Sequence, residues 1–295
     1  MKHFLELNLP HSLFNSIITI GRWVKKKIRL TSRILKFGTK PFFKEINVNG
    51  NNFFIQLQPT KNGCVDEIIA TQGYWENELS QQLIKTLKAG DTFLDIGANI
   101  GYHSLLIASI LKREITVHAF EPIPVLFKQF EQSIQKNNFT NLTLHNFGLG
   151  DINEDVTIFL RDENMGGSSL FEYKNLDVVR SSQTDTISLK TLDSVFNNND
   201  KVDVIKIDVE GYEFEALKGG ENTLKKNSPI IFMEFSPVMY EEDYTGKTKK
   251  FISYLKDLGY LFFTLDEAKI DLLEWFNSAK RTQIDIKCVP SKIVE

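Results

Sequence analysis

Thr92-Phe93-Leu94-Asp95-Ile96-Gly97-Ala98-Asn99-Ile100-Gly101 reads as a short apolar strand ending in an acid and a glycine-bearing turn. An apolar helix pattern over Tyr102–Leu111 follows directly. Such a strand–turn–helix unit opens an α/β sheet. Working outward, strands are expected at Thr116–Glu121, Leu142–Phe147, Val202–Asp208, Ile230–Phe235, Leu261–Leu265 and Ile284–Val289. Helix patterns lie between most of them, among them Val125–Asn137, Phe214–Lys225 and Lys249–Leu258. Runs such as Val204-Ile205 and Ile230-Ile231-Phe232 suit strands covered on both faces. The expected fold is α/β: a doubly wound, mostly parallel, Rossmann-like sheet with helices on both faces. The last two strands have only a short link and are expected to run antiparallel.

Upstream lies a different kind of sequence. From Leu7 to Lys44 there are nine basic residues and no acid, which leaves 26 of the 35 basic residues against all 38 acidic ones elsewhere. An acidic body argues against nucleic acid as the main ligand. Leu13, Ile17, Ile20, Val24 and Ile28 recur at helical steps, so this segment reads as an amphipathic basic helix. It suits peripheral contact with an anionic membrane or a partner, or packing on the chain's own acidic body. Asn49-Gly50 between Glu45–Val48 and Asn52–Leu57 reads as a hairpin turn, and Pro59 to Gly63 breaks the chain again. The expected division is a basic helical and hairpin extension over residues 1–65 and one catalytic domain over 66–295. Cys64 and Cys288 match no metal-ligand spacing, and no run of eighteen apolar residues exists, so a cytoplasmic, at most membrane-peripheral, protein is expected.

In open α/β sheets ligands bind beyond the carboxyl ends of the strands, so the residues there carry the functional reading. A dinucleotide fingerprint needs three glycines for close approach of pyrophosphate. Here Gly97 and Gly101 are separated by Ala98, Asn99 and Ile100, and Asp95 ends the strand. A carboxylate there disfavours phosphate and favours a cation, and S-adenosylmethionine, with its sulfonium and ammonium groups, fits. Glu121, before Pro122, can accept both ribose hydroxyls, and Asn146 stands where an adenine would be read. Around the fourth of these strands, Lys206, Asp208 and Glu210 are candidate catalytic groups, with Lys206 also able to pair structurally with an acid. His103, at the start of the helix after the turn, is a further candidate base. No metal is expected; were one to assist, Asp208, Glu210 and Glu234 are the oxygen ligands to test.

Taken in order, Asp95–Gly101, Phe120-Glu121-Pro122, Gly167-Ser168-Ser169-Leu170, Thr191-Leu192-Asp193, Lys206-Ile207-Asp208-Val209-Glu210-Gly211 and Leu217-Lys218-Gly219 resemble the FkbM family of methyltransferases. The resemblance runs from about Asp91 to Phe235. It implies a class I seven-stranded fold, S-adenosylmethionine as cofactor, and O-methylation of a hydroxyl on a sugar, glycolipid or secondary metabolite. It assigns Asp95, Gly97 and Gly101 to the cofactor turn and Glu121 to the ribose, and matches Asp208 and Glu210 to the family's acidic signature. The basic segment and the tail after about Asn277 lie outside the pattern. Rival readings are a nicotinamide oxidoreductase or sugar epimerase, a base-modifying nucleic-acid methyltransferase, and a non-catalytic nucleoside-binding scaffold. Against the second, the fourth strand is followed by no Asp-Pro-Pro-Tyr-like element.

Overall fold

The computed structural model describes residues 11–110, 114–161, 165–171, 183–196, 200–239, 244–278 and 283–294. The chain opens with a helix over His11–Phe37, then strands β1 (Phe42–Val48) and β2 (Asn51–Leu57). These two pair antiparallel around Asn49 and Gly50, whose φ angles of 52° and 83° are the positive pair a two-residue hairpin turn requires. The hairpin is built into the main core: Ile46, Phe53, Ile55 and Leu57 are fully buried beside Phe93, Leu105 and Phe130. Gln56 N–H donates to Ser133 Oγ at 2.9 Å, so the hairpin half of the 1–65 extension packs as an added layer on the helix Pro124–Asn137.

The central sheet contains β3 (Thr92–Ile96), β4 (Thr116–Phe120), β5 (Leu142–His145), β9 (Val204–Ile207), β10 (Ile230–Phe235), β11 (Tyr260–Thr264) and β12 (Ile284–Pro290). Their order is β11-β12-β10-β9-β3-β4-β5. The pairs from β10 through β9, β3 and β4 to β5 are parallel, and β12 runs antiparallel to both β10 and β11. All seven strands anticipated from the sequence are present, and the last pair is antiparallel as the short link requires. That link still holds a short helix, Leu272–Ser278, and β12 inserts between β10 and β11.

Two local differences have physical causes. The helix read as one element over Phe214–Lys225 is two, Glu213–Lys218 and Glu221–Asn227. Gly219 presses on the Gly150 carbonyl so closely that a Cβ would lie 1.9 Å from that oxygen, and the Asp193 carboxylate accepts from Asn222 and Thr223 N–H to start the second helix. A second sheet, β6 (Gly148–Leu149), β8 (Thr184–Lys190) and β7 (Glu154–Phe159), was not anticipated. Thr184–Lys190 does alternate, burying Ile187 and Leu189 and exposing Thr186, Ser188 and Lys190, the period of a half-buried strand. The sequence places pocket walls in the loops Arg161–Asn175 and Tyr240–Lys247, of which residues 162–164, 172–175 and 240–243 lie outside the described residues.

Candidate active site

The turn after β3 uses its own backbone donors. Gly97 and Ala98 N–H both donate to Phe120 O, at 3.1 and 3.0 Å. Asn99 N–H donates to Glu121 Oε2 at 2.8 Å, Ile100 N–H to the Asn99 side-chain oxygen at 2.8 Å, and Gly101 N–H to Ala98 O at 2.8 Å. Five consecutive donors are thus satisfied within the protein. A pyrophosphate cradle works by aiming such groups at the ligand, so this turn offers phosphate nothing. The two glycines answer close approaches instead. Gly97, at φ 76°, leaves no room for a Cβ beside the Asp208 carbonyl, and Gly101, at φ 84°, leaves none beside the Phe130 ring.

Next to the turn lies a cleft of about 670 Å³, counted to its open mouth. It is lined by Gly97, Asn99, Glu121 and Pro122 on one side, by Leu149, Ile187 and Leu189 on another, and by Asp208, Val209 and Glu210 at the end of β9. Among the described residues, three acids and no basic side chain line it. Glu121 is buried; its Oε1 accepts from Ile123 N–H and its Oε2 from Asn99 N–H, both at 2.8 Å. Each oxygen keeps a lone pair for another donor. Burial pushes its carboxyl up to about 8, against the pull of those two N–H groups.

Asp95 stands elsewhere than expected. It is 1% exposed and does not line the cleft. Its Oδ2 accepts from Ser104 Oγ at 2.6 Å, and its Oδ1 lies 3.5 Å from Lys206 Nζ. Asp95 and Lys206 are register partners on the neighbouring strands β3 and β9, so the acid's charge is met inside the sheet. The carboxyls that do face the cleft are those of Glu121, Asp208 and Glu210. Asn146 is exposed and outside the cleft, because β5 ends at His145 and the chain turns away.

A second cavity of about 660 Å³ shares Gly97, Asn99, Gly166, Asp208 and Glu210 with the cleft and continues beyond them. Its further wall brings Glu76, His103, Lys206 and Glu234 together, with Ala98 beside them. Lys206 Nζ donates to Gly97 O at 3.0 Å and lies 3.8 Å from Asp208 Oδ2. Burial alone would lower its pKa, but Asp95, Asp208 and Glu76 outweigh it and hold the ammonium charged. Burial, then the Asp208 charge, raises both Glu76 and Glu210 to about 8. Glu234 rises to about 7 from the same two causes, with Ser236 Oγ donating to its Oε2 at 3.1 Å and Gln283 to its Oε1 at 2.7 Å. His103 is buried and pushed down to about 3, first by burial and then by Lys206, so its ring is neutral at pH 7. Among the described residues its Nε2 has no hydrogen-bond partner, and it lies 3.8 Å from Glu76 Oε2. Among the described residues, no three His, Cys, Asp or Glu side chains converge as a metal site.

The loop after β9 is held in an unusual shape. Glu210, at φ 53°, takes a left-handed conformation that a side chain disfavours, and Gly211 follows at φ 98°. Glu213 Oε1 accepts from Val209 and Gly211 N–H at 3.1 and 3.2 Å, and Ser169 Oγ donates to Glu210 O at 3.0 Å. The remaining motif residues brace this arrangement. Asp193 N–H donates to Gly219 O at 3.0 Å, which ties Thr191-Leu192-Asp193 to Leu217-Lys218-Gly219, and Ser168 Oγ donates to Met165 O at 2.7 Å beside Gly166. Sequence reasoning missed Glu76. It lies between helices Cys64–Gln72 and Asn77–Thr86, away from any strand end, and its one local mark is a φ of 40° that sequence does not reveal.

S-adenosylmethionine fits these residues: apolar walls for a base, a buried carboxylate with open lone pairs for ribose hydroxyls, acids for cationic groups, and no donor cradle for phosphate. A family model described as Methyltransferase FkbM domain matches residues 95–262. The chain is 27% identical over 216 residues to the hexuronic acid methyltransferase AglP of Haloferax volcanii, covering 70% of this chain and 81% of that protein. It is 26% identical over 146 residues to Methyltransferase 1 of Beauveria bassiana, covering 44% of this chain and 58% of that protein. The crystal structure of a methyltransferase FkbM from Methylobacillus flagellatus superposes with a TM-score of 0.44 at 18% identity, over 68% of this chain and 43% of that one.

Proposed function

The chain belongs to the FkbM methyltransferase family and uses S-adenosylmethionine, and from that premise we propose that it methylates a hydroxyl oxygen of a sugar, a glycan or glycolipid, or a secondary metabolite. One observation carries the reading. Asp208 and Glu210 stand in the wall common to the cofactor cleft and the second cavity, so a carboxylate sits between cofactor and acceptor. When bound, S-adenosylmethionine supplies an electrophilic methyl group whose sulfur leaves as a neutral thioether.

The chain's own residues then have separable tasks. Glu121 accepts the ribose hydroxyls, while Gly97, Asn99 and Pro122 shape the cleft around the nucleoside. Asp95 and Gly101 serve from behind: Asp95 keeps Lys206 charged and in place, and Gly101 lets Phe130 pack beneath the turn. Glu210 takes the acceptor's proton on a carboxylate oxygen, assistance worth about 10²–10⁴-fold for a weakly acidic alcohol. Asp208 faces it and keeps its proton affinity high. Lys206 limits the charge that the clustered acids present, and the neutral His103, beside Ala98, offers its unpartnered Nε2 to an acceptor hydroxyl.

The same cavity selects by charge. The Haloferax volcanii relative is named for a hexuronic acid, whose carboxylate is negative. Among the described lining residues the one ammonium, Lys206, already faces Asp95 and Asp208, which leaves no cation for a uronate. The acceptor is therefore a neutral or amino-bearing hydroxyl compound. The test offers methyl-labelled S-adenosylmethionine with matched neutral, amino and uronic glycosides and locates the label by NMR. Label on oxygen of the neutral or amino glycosides is expected; label on nitrogen or carbon, or a preference for the uronate, contradicts the proposal.

A further inference from the structure

The helix His11–Phe37 is turned the wrong way for a helix that packs on its own domain. Its Arg33 Nε donates to Glu67 Oε2 at 2.8 Å, which fixes the Arg33 side toward the body. At about 100° per residue, Val24, Ile28 and Leu35 cluster within about 40° of one another and lie about 160° from Arg33. They are accordingly 40%, 63% and 82% exposed. A surface helix of a soluble domain normally turns such a stripe inward. Here it faces out, with the exposed Lys25 and Lys27 about 80° to either side of it, and Lys36 beyond Lys25. In the sequence, the same period runs back through Leu13, Ile17 and Ile20.

We propose that this helix is a peripheral docking surface for an anionic lipid bilayer. It lies in the plane of the interface with Val24, Ile28 and Leu35 inserted and its lysines among the headgroups. The charge pattern selects this occupant. Between Leu7 and Lys44 nine basic residues stand without one acid, all from Arg22 onward, and this acid-free run is complementary to an anionic leaflet. A second copy of the chain fits less well: two such helices placed stripe to stripe would bring lysine rims together. Among the described residues, the large exposed apolar side chains outside the helix are Phe43, Tyr74, Ile152 and Ile293, each in a different part of the chain, so the body offers no apolar seat. No described helix is long and apolar enough to cross a membrane, so the contact lies on the surface. The helix Cys64–Gln72, which holds Arg33 through Glu67, also lines the acceptor cavity with Cys64 and Val65.

The test is co-sedimentation of the full chain with phosphatidylcholine vesicles and with vesicles of two parts phosphatidylcholine to one part phosphatidylglycerol. Binding is expected to the anionic vesicles only, weakening as salt screens the lysines. Ile28→Glu with Leu35→Glu should cut the partition at least about tenfold, and Lys25→Glu with Lys36→Glu by a similar factor, because each acts on one of the two attractions. All four side chains are exposed, so the melting temperature and methyl transfer to a soluble acceptor stay unchanged. Absence of binding to anionic vesicles, or binding indifferent to the Ile28→Glu and Leu35→Glu pair, overturns the proposal. So does a vesicle-free dimer that the same pair dissociates, which assigns the stripe to a second copy.

Discussion

The cofactor cleft and the acceptor cavity share a wall yet are built on opposite principles. In the cleft, polar groups are satisfied before any ligand arrives: the donors of the Asp95–Gly101 turn are spent, and Glu121 already holds two N–H groups. In the cavity, carboxyls crowd one ammonium, their proton affinities rise, and His103 keeps an unpartnered nitrogen. The first arrangement fixes a ligand in one pose. The second keeps groups ready to exchange protons, as catalysis near neutral pH requires. Substitutions should therefore separate cleanly into those that lose cofactor and those that lose turnover.

The largest separation belongs to Glu210→Gln, on the shared wall. Turnover should fall about 10²–10⁴-fold while cofactor affinity by calorimetry stays within about twofold, since the amide keeps the shape and loses the base. Lys206→Met tests the scaffold under both regions. It leaves Asp95 buried without its counter-charge, and denaturant unfolding should report a loss of about 3–5 kcal/mol. Glu121→Gln belongs to the cleft: one of its two N–H groups loses its acceptor, and cofactor affinity should weaken about 10–100-fold with little change in the acceptor's KM. Glu76→Gln, confined to the cavity, is the mildest. Acceptor KM should rise about 2–10-fold with cofactor affinity unmoved; a loss of cofactor binding there would merge the two regions into one.

The sequence carried the sheet and the cleft better than the cavity. Strand ends can be read along the chain, and Asp95, Glu121 and Asp208 stand at three of them. The position of a charge in space depends on neighbours that the chain order hides. Asp95 reads as a ligand-facing acid until β9 is laid beside β3 and Lys206 meets it. Glu76 lies in a connection between helices and reaches the cavity only through the fold, so no spacing marks it. Thr191-Leu192-Asp193 and Leu217-Lys218-Gly219 were legible as motifs but not as braces, because their reason is the contact of Gly219 with Gly150 and with Asp193. The sheet β6-β8-β7 was missed even though Thr184–Lys190 alternates, because β6 is two residues long and β7 buries little.

The central claim is that buried, mutually repelling carboxyls set the proton acceptor at Glu210, and the pH dependence of kcat tests it directly. Glu210 must be ionised to take a proton, and its pKa is raised to about 8 by burial and then by Asp208. The rate should climb about tenfold per pH unit below that value and level off above it. Asp208→Asn removes the neighbouring charge, so its rising limb should move to lower pH. A profile flat from pH 6 to 9 in the parent protein, or a limb that Asp208→Asn leaves in place, contradicts the account.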